Sequence, residues 1–185
     1  MLSEDDGKYL LSVAKNAIET YVKENRKIDT PSDCPDYMHD ELGVFVTLNK
    51  HNNLRGCIGY PEPVYPLIDA VIDSAISAAM RDPRFPSVNE SELDSLDYEI
   101  TVLTKPQIIE VEKPIDYLDN LTIGEDGLIV ERGFYRGLLL PQVAPEHNMD
   151  KEEFLSHTCM KAGLRPDAWL DENTKVYKFQ GQIFK

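Results

Sequence analysis

The residues with the most capacity for chemistry stand together at Leu54-Arg55-Gly56-Cys57-Ile58-Gly59. They combine one thiol, one guanidinium and two glycines in a stretch that reads as a β-strand. Strand side chains alternate between faces, which sets Leu54, Gly56 and Ile58 on one side and Arg55, Cys57 and Gly59 on the other. A cation beside a cysteine favours the thiolate, the form that attacks electrophiles and binds soft metals. The bland alternative is a small buried hydrophobe, with the glycines relieving crowding under a helix. Both readings stay open at this level.

A second candidate is Asp82-Pro83-Arg84-Phe85-Pro86. Two prolines stiffen this backbone, so it can aim the Arg84 guanidinium at a carboxylate or phosphate. The same stiffness serves equally to stop the preceding helix, with Phe85 filling the core. A cysteine nucleophile also needs a base, and the candidates are His39, His51, His147 and His157. His157 and Cys159 are two positions apart on a helix and so face different ways. No metal-ligand spacing is present, and neither GxxxxGK[ST] nor GxGxxG occurs, so a standard nucleotide site is unsupported.

The elements that position these residues can be read from periodicity. Ser3 caps a helix whose apolar residues Leu10, Val13, Ala14, Ala17, Ile18 and Tyr21 share one face, ending near Lys23. Gly43–Leu48 and Leu54–Gly59 are strands of an antiparallel hairpin joined through Asn49–Asn53. Pro66 opens a second helix with a small-residue face, which Asp82-Pro83 ends. Asn89–Leu93 reads as one helical turn, and Asp97–Leu103 and Ile108–Val111 as strands. Residues 114–120 are a loop or short helix. Thr122–Gly124, Leu128–Glu131 and Tyr135–Leu140 are further short strands. Asp150 and Glu153 form a capping box for a third helix that stops at Gly163, and Val176–Phe184 closes the chain as a strand. The class is α+β, a largely antiparallel sheet flanked by helices, in one unit spanning residues 1–185 or two lobes sharing a core.

Composition bounds the partners. Nineteen basic against 33 acidic side chains leave a formal charge of −14, which repels phosphates and argues against nucleic acid. Three cysteines, Cys34, Cys57 and Cys159, are an odd number without a CxxC pair, which fits a reducing cytoplasm. The acidic N-terminus lacks a signal-peptide pattern, and no apolar run approaches the ~18 residues of a membrane span.

Leu-Arg-Gly-Cys-Ile-Gly at 54–59 resembles the signature of the AMMECR-domain family of archaea, bacteria and eukaryotes. Gly-Val-Phe-Val-Thr-Leu (43–48), Asp-Pro-Arg-Phe-Pro (82–86) and Gly-Leu-Leu-Leu-Pro-Gln-Val-Ala (137–144) match at the expected places. Phe154–Leu164 and the closing Thr-Lys-Val-Tyr-Lys-Phe look most like the archaeal branch. The resemblance implies a larger lobe built from both chain ends and a smaller inserted one. It implies no established activity. It also implies a link to Memo-like and radical-SAM proteins, and hence a partner's role in a small modification system. The positions it carries over as a site are Arg55, Gly56, Cys57, Gly59, Asp82 and Arg84; the histidines belong to none of its motifs. Neither residues nor resemblance identifies a cofactor. Two functions are then in play: a cleft lined by Arg55, Cys57 and Arg84 that binds a small anionic or electrophilic ligand, with Cys57 as the reactive thiol; or a non-enzymatic adaptor whose signature strand and helix form a rigid docking surface for a partner protein.

Overall fold

The computed structural model describes residues 2–185. The chain divides into two compact units, one of residues 1–103 and 182–185, the other of residues 104–181. Each has its own apolar core and an antiparallel sheet flanked by helices, the α+β class expected.

In the first unit, helix α1 (Glu4–Glu24) starts in a capping box formed by Ser3 and Asp6. The Asp6 amide donates to Ser3 Oγ at 3.2 Å, and the Ser3 amide donates to the Asp6 carboxylate at 2.7 Å. Two of the orphan donors of a helix start are thereby satisfied. Leu10, Val13, Ala14, Ala17 and Ile18 are buried along one face, the stripe that 3.6-residue periodicity demands. Strands β1 (Val44–Lys50), β2 (Asn53–Tyr60) and β3 (Leu96–Leu103) lie in the order β2-β1-β3, so β2 is an edge. Val44, Val46, Leu48 and Ile100 form the buried face of this sheet, in one core with α1 and helix α2 (Leu67–Met80). Gln182 returns to this unit and bonds both the amide and the carbonyl of Leu2, at 3.0 and 2.7 Å.

The β1–β2 connection is shorter than its five polar residues suggest. The strands run on to Lys50 and Asn53, leaving only His51 and Asn52 in the turn, with φ of 51° and 62°. Two successive left-handed residues make the turn whose twist matches paired strands, and asparagine tolerates that conformation.

The second unit holds β4 (Gln107–Ile108), β5 (Asp126–Arg132), β6 (Tyr135–Leu139) and most of β7 (Lys175–Phe184). Strand β7 pairs with β4 and β5, and β5 with β6, all antiparallel. A one-turn helix α3 (Val143–Glu146) precedes α4 (Lys151–Lys161), which begins in the expected Asp150–Glu153 capping box. Phe154, Leu155, Cys159 and Trp169 fill this core with Leu128, Val130 and Val176. The strand expected at Thr122–Gly124 does not form. The buried Asp126 carboxylate accepts the Thr122 amide at 2.9 Å, and the Asp126 amide returns to the Thr122 carbonyl at 3.0 Å. That closure curls the segment into a turn with Gly124 at φ 86°. Residues 36–39, 90–95, 114–120 and 166–170 are 3-10 turns. No described helix is long and apolar enough to cross a membrane.

Candidate functional site

The signature strand carries a bulge. Lys50 pairs with Asn53 and Asn49 with Leu54, but Leu48 pairs with Gly56, so Arg55 has no partner of its own. Strict alternation puts Arg55 beside Cys57; the bulge instead sets Arg55 and Gly56 together opposite Leu48, a core-facing residue. The guanidinium then reaches the 3-10 turn at Glu90–Ser95, where Nε and Nη2 donate to the two oxygens of Glu92, each at 3.1 Å. Lys50 joins the same carboxylate at 2.9 Å. Arg55 and Lys50 together hold the Glu92 carboxyl at about 2, well below its usual range. Arg55 and Cys57 are therefore not the side-by-side pair that alternation implies.

Beyond the bulge the register is shifted by one, and this gives Cys57 its neighbour. A two-residue turn at 51–52 alone would set Thr47 opposite Gly56; with Arg55 skipped, Thr47 stands opposite Cys57, and Glu99 stands opposite Thr47 on β3. The Thr47 hydroxyl donates to Cys57 Sγ at 3.2 Å. Thiol, hydroxyl and carboxylate thus form a row across three strands, on the face opposite α1 and α2, and all three residues are half-buried.

The backbone of Cys57 is fixed from the open edge of β2. Its amide donates to Asp82 Oδ2 at 2.9 Å, and its carbonyl accepts from Arg84 Nη2 at 3.2 Å. Asp82 is buried, and its carboxylate also accepts the Arg84 amide, Nε and Nη2 at 3.1, 3.0 and 2.7 Å. The Arg84 guanidinium, above all, holds the Asp82 carboxyl far below the ordinary carboxylate range. An unpaired strand edge attracts other chains; here an acid and a guanidinium occupy it, while the Arg84 side chain stays 53% exposed. The Asp-Pro-Arg segment both ends α2 and clamps the signature strand.

Both glycines of the signature are sites of close approach. A Cβ on Gly56 would lie 2.1 Å from the Ala78 carbonyl oxygen of α2, and one on Gly59 would lie 2.2 Å from the Val44 carbonyl oxygen. The sequence reading missed Thr47, Glu92 and Glu99. Thr47 was readable only with the bulge, and Glu92 only as part of an Asn89–Glu92 capping box.

Other candidates stand apart. All four histidines are exposed, and no hydrogen bond joins any of them to Cys57 among the described residues. Cys159 is fully buried, and desolvation pushes its thiol up to about 11. Burial likewise raises the Cys34 thiol. A concavity of about 750 Å³ in the first unit is lined by Leu11, Lys15, Asn49, Tyr98, Glu99 and Lys185 among others, and not by Arg55, Cys57 or Arg84. No group of three His, Cys, Asp or Glu side chains is arranged to hold a metal among the described residues.

An α+β chain with a clamped, bulged edge strand reading Leu-Arg-Gly-Cys-Ile-Gly defines the class, and comparison places it: residues 11–184 match the AMMECR1 family, to which this chain belongs. A protein of Methanothermobacter thermautotrophicus is 58% identical over 99% of this chain and 95% of its own length. One of Thermococcus onnurineus is 51% identical over 100% and 92%. The crystal structure of the uncharacterised protein PH0010 from Pyrococcus horikoshii, 50% identical, superposes with a TM-score of 0.82 over 98% of this chain and 92% of that one.

Proposed function

We propose that this chain binds a small anionic or electrophilic ligand on the face of its first sheet opposite α1 and α2, with Cys57 as the thiol that contacts it. The observation that carries this reading is the Thr47 hydroxyl aimed at Cys57 Sγ at 3.2 Å. A hydroxyl donor fixes the direction in which the sulfur points, and a sulfur so held presents itself to a ligand from a set position. Arg84 supplies the cation that a ligand meets, since its guanidinium is half exposed while still tied to Asp82 and the Cys57 carbonyl. Asp82, Gly56 and Gly59 are positioning residues: they fix the backbone from which the thiol projects. Arg55 serves the same end at one remove, anchoring the bulge to Glu92. The three cysteines are free, which suits a reducing cytoplasm as the working compartment.

The test is alkylation of the folded protein by iodoacetamide at pH 7 in a background lacking Cys34 and Cys159. The reading expects Cys57 to label at least as fast as a cysteine in an unstructured peptide, and Arg84→Ala to slow labelling by the negatively charged iodoacetate more than by neutral iodoacetamide. Labelling only upon unfolding would overturn it and leave Cys57 a packing residue of a docking strand.

A further inference from the structure

The thiol site leaves the 750 Å³ concavity of the first unit unused, and that concavity lies along an open strand edge. Strand β3 turns its backbone groups alternately to its two sides. The Leu103 amide donates to the Gly43 carbonyl on the β1 side, and the Thr104 amide donates to the Gln180 carbonyl of β7. The β1–β3 register is unbroken back to Leu96. Asp97 and Glu99 therefore bond toward β1, while Leu96 and Tyr98 turn their backbone groups to the β7 side. Counting in opposite directions from Thr104 and Gln180 sets Lys185 opposite Glu99, and their side chains do meet at 2.9 Å. Strand β7 ends at Phe184. The Tyr98 amide and carbonyl thus face the concavity with no strand beside them among the described residues. The Leu96 carbonyl does too, its amide being taken by the Leu93 carbonyl.

The two faces at this edge differ. The Leu96 and Tyr98 side chains lie on the core side, where Leu11 of α1 completes an apolar wall. Asp97 and Glu99 point to the other face. An open edge beside such a wall is the setting for strand addition, in which an extended backbone bonds to the edge and its side chains alternate between faces. Charge selects the kind of strand. Lys185 is paired with Glu99, and Lys15 approaches Glu19 at 3.9 Å. The exposed Asp97 carboxylate has neither hydrogen bond nor ion pair among the described residues. The lining therefore keeps one uncompensated negative charge, in a chain of −14 whose field draws cations in.

We propose that this concavity is a docking groove for an extended basic segment of a partner protein, paired as an added strand with residues 96–98. Its apolar side chains pack against Leu11 and Leu96, and the lysines or arginines between them meet Asp97. An acidic segment would instead set carboxylate against carboxylate. The contact is a few residues long, so the complex is transient.

The experiment is fluorescence anisotropy of a fluorescein-labelled peptide Val-Lys-Val-Lys-Val titrated with the full chain. Its dissociation constant is expected between about 10 μM and about 1 mM, the range of small transient contacts, and added salt should raise it. The peptide Val-Glu-Val-Glu-Val should bind at least tenfold more weakly. In an added strand the residue opposite Tyr98 shares its face and exchanges both backbone bonds with it. Methylating the valine amides should therefore weaken binding at least tenfold, and methylating the lysine amides, which turn to solvent, should leave it nearly unchanged. Asp97→Lys should weaken binding of the basic peptide at least tenfold without altering the far-ultraviolet circular dichroism, since Asp97 is exposed. A dissociation constant above about 1 mM overturns the proposal, as does undiminished binding to the Asp97 variant. Equal binding of the acidic peptide overturns the choice of partner. Equal binding of the two methylated peptides overturns strand addition and leaves attraction by charge alone.

Discussion

Two edge strands of this molecule solve one packing problem in parallel ways. In the first unit Arg55-Gly56 sits on β2 beneath α2; in the second, Arg136-Gly137 sits on β6 beneath α4. A Cβ on Gly56 would lie 2.1 Å from Ala78 O, and one on Gly137 would lie 2.3 Å from Ala162 N. Each glycine lets the last turn of a helix rest directly on strand backbone, and each preceding arginine pairs with a glutamate, Glu92 or Glu131. The residues after the glycine differ. In β6 they are Leu138 and Leu139, paired to β5 without a register break. In β2 the next residue is Cys57, after a bulge, with its amide and carbonyl held by Asp82 and Arg84. Close helix packing therefore accounts for the glycine in both places. It does not account for the clamp, which occurs where a thiol is presented.

The comparison is broken most severely by removing the clamp. Asp82→Ala leaves the Cys57 amide without its acceptor and opens space in a buried position. The freed Arg84 is half exposed and can hydrate, so the cost stays below that of stranding a buried charge. We expect a loss of about 3 kcal/mol, read as a shift in the urea midpoint at unchanged slope. A loss under about 1 kcal/mol would show that the clamp contributes little to holding the strand. Next in size are the glycines. Gly56→Ala and Gly137→Ala each push a Cβ into helix backbone and should each cost about 2–3 kcal/mol. Their sites lie in different cores, so the double variant should lose the sum to within about 0.5 kcal/mol. If one glycine proves neutral, the parallel between the two edges fails at that edge.

Much of the scaffold was legible because local rules decide it. The N-cap at Ser3, the capping box at Asp150 and the apolar stripe of α1 placed helices to within a residue or two. Strand β7 and the hairpin strands were legible in the same way. The site was legible by residue type and only partly by geometry. Whether Arg55 faces Cys57 depends on one skipped residue, and a bulge leaves no reliable mark in the alternation it breaks. Glycine at position 56 did signal close approach, but not the helix involved. Glu92 went unnoticed because a carboxylate 37 positions from its arginine has no local signature. Thr122–Gly124 failed for the opposite reason: its β-branched residues suit a strand, but the Asp126 carboxylate offered the backbone a turn.

Acid should distinguish the two units. Glu92 is held at about 2 against an ordinary value near 4.5, and Asp82 is also held low. A carboxyl depressed by folding stabilises the native state above its unfolded value, and that stabilisation is lost as pH falls through its folded value. Both groups belong to the first unit, so that unit should weaken between about pH 4.5 and pH 2. Glu92, which is mostly buried, should account for about 2 kcal/mol of the loss. Hydrogen exchange is the measurement, and the amides of β1 and β2 should lose protection before those of β5 and β6. Glu92→Gln should flatten this dependence. Equal loss in both units would mean that these two carboxylates do not govern acid sensitivity.

The smallest effect is the most informative about chemistry. Thr47→Val keeps shape and volume nearly unchanged and removes the hydroxyl that donates to Cys57 Sγ. Both residues are half-buried, so the change in stability should be under about 1 kcal/mol. The sulfur loses a donor that matters more to its anionic than to its neutral form. A hydrogen bond to a charged group contributes about 1.5–3 kcal/mol when dry, and partial exposure here reduces that to roughly 1 kcal/mol. Alkylation of Cys57 at pH 7 should then slow about fivefold, since 1.4 kcal/mol is a factor of ten. Leu138, placed after Gly137 as Cys57 is after Gly56, offers an internal control. A Leu138→Cys thiol should alkylate at a rate indifferent to Thr47. If Thr47→Val instead leaves the rate at Cys57 unchanged while stability falls, the hydroxyl is a packing contact, and the two edges differ in the clamp alone.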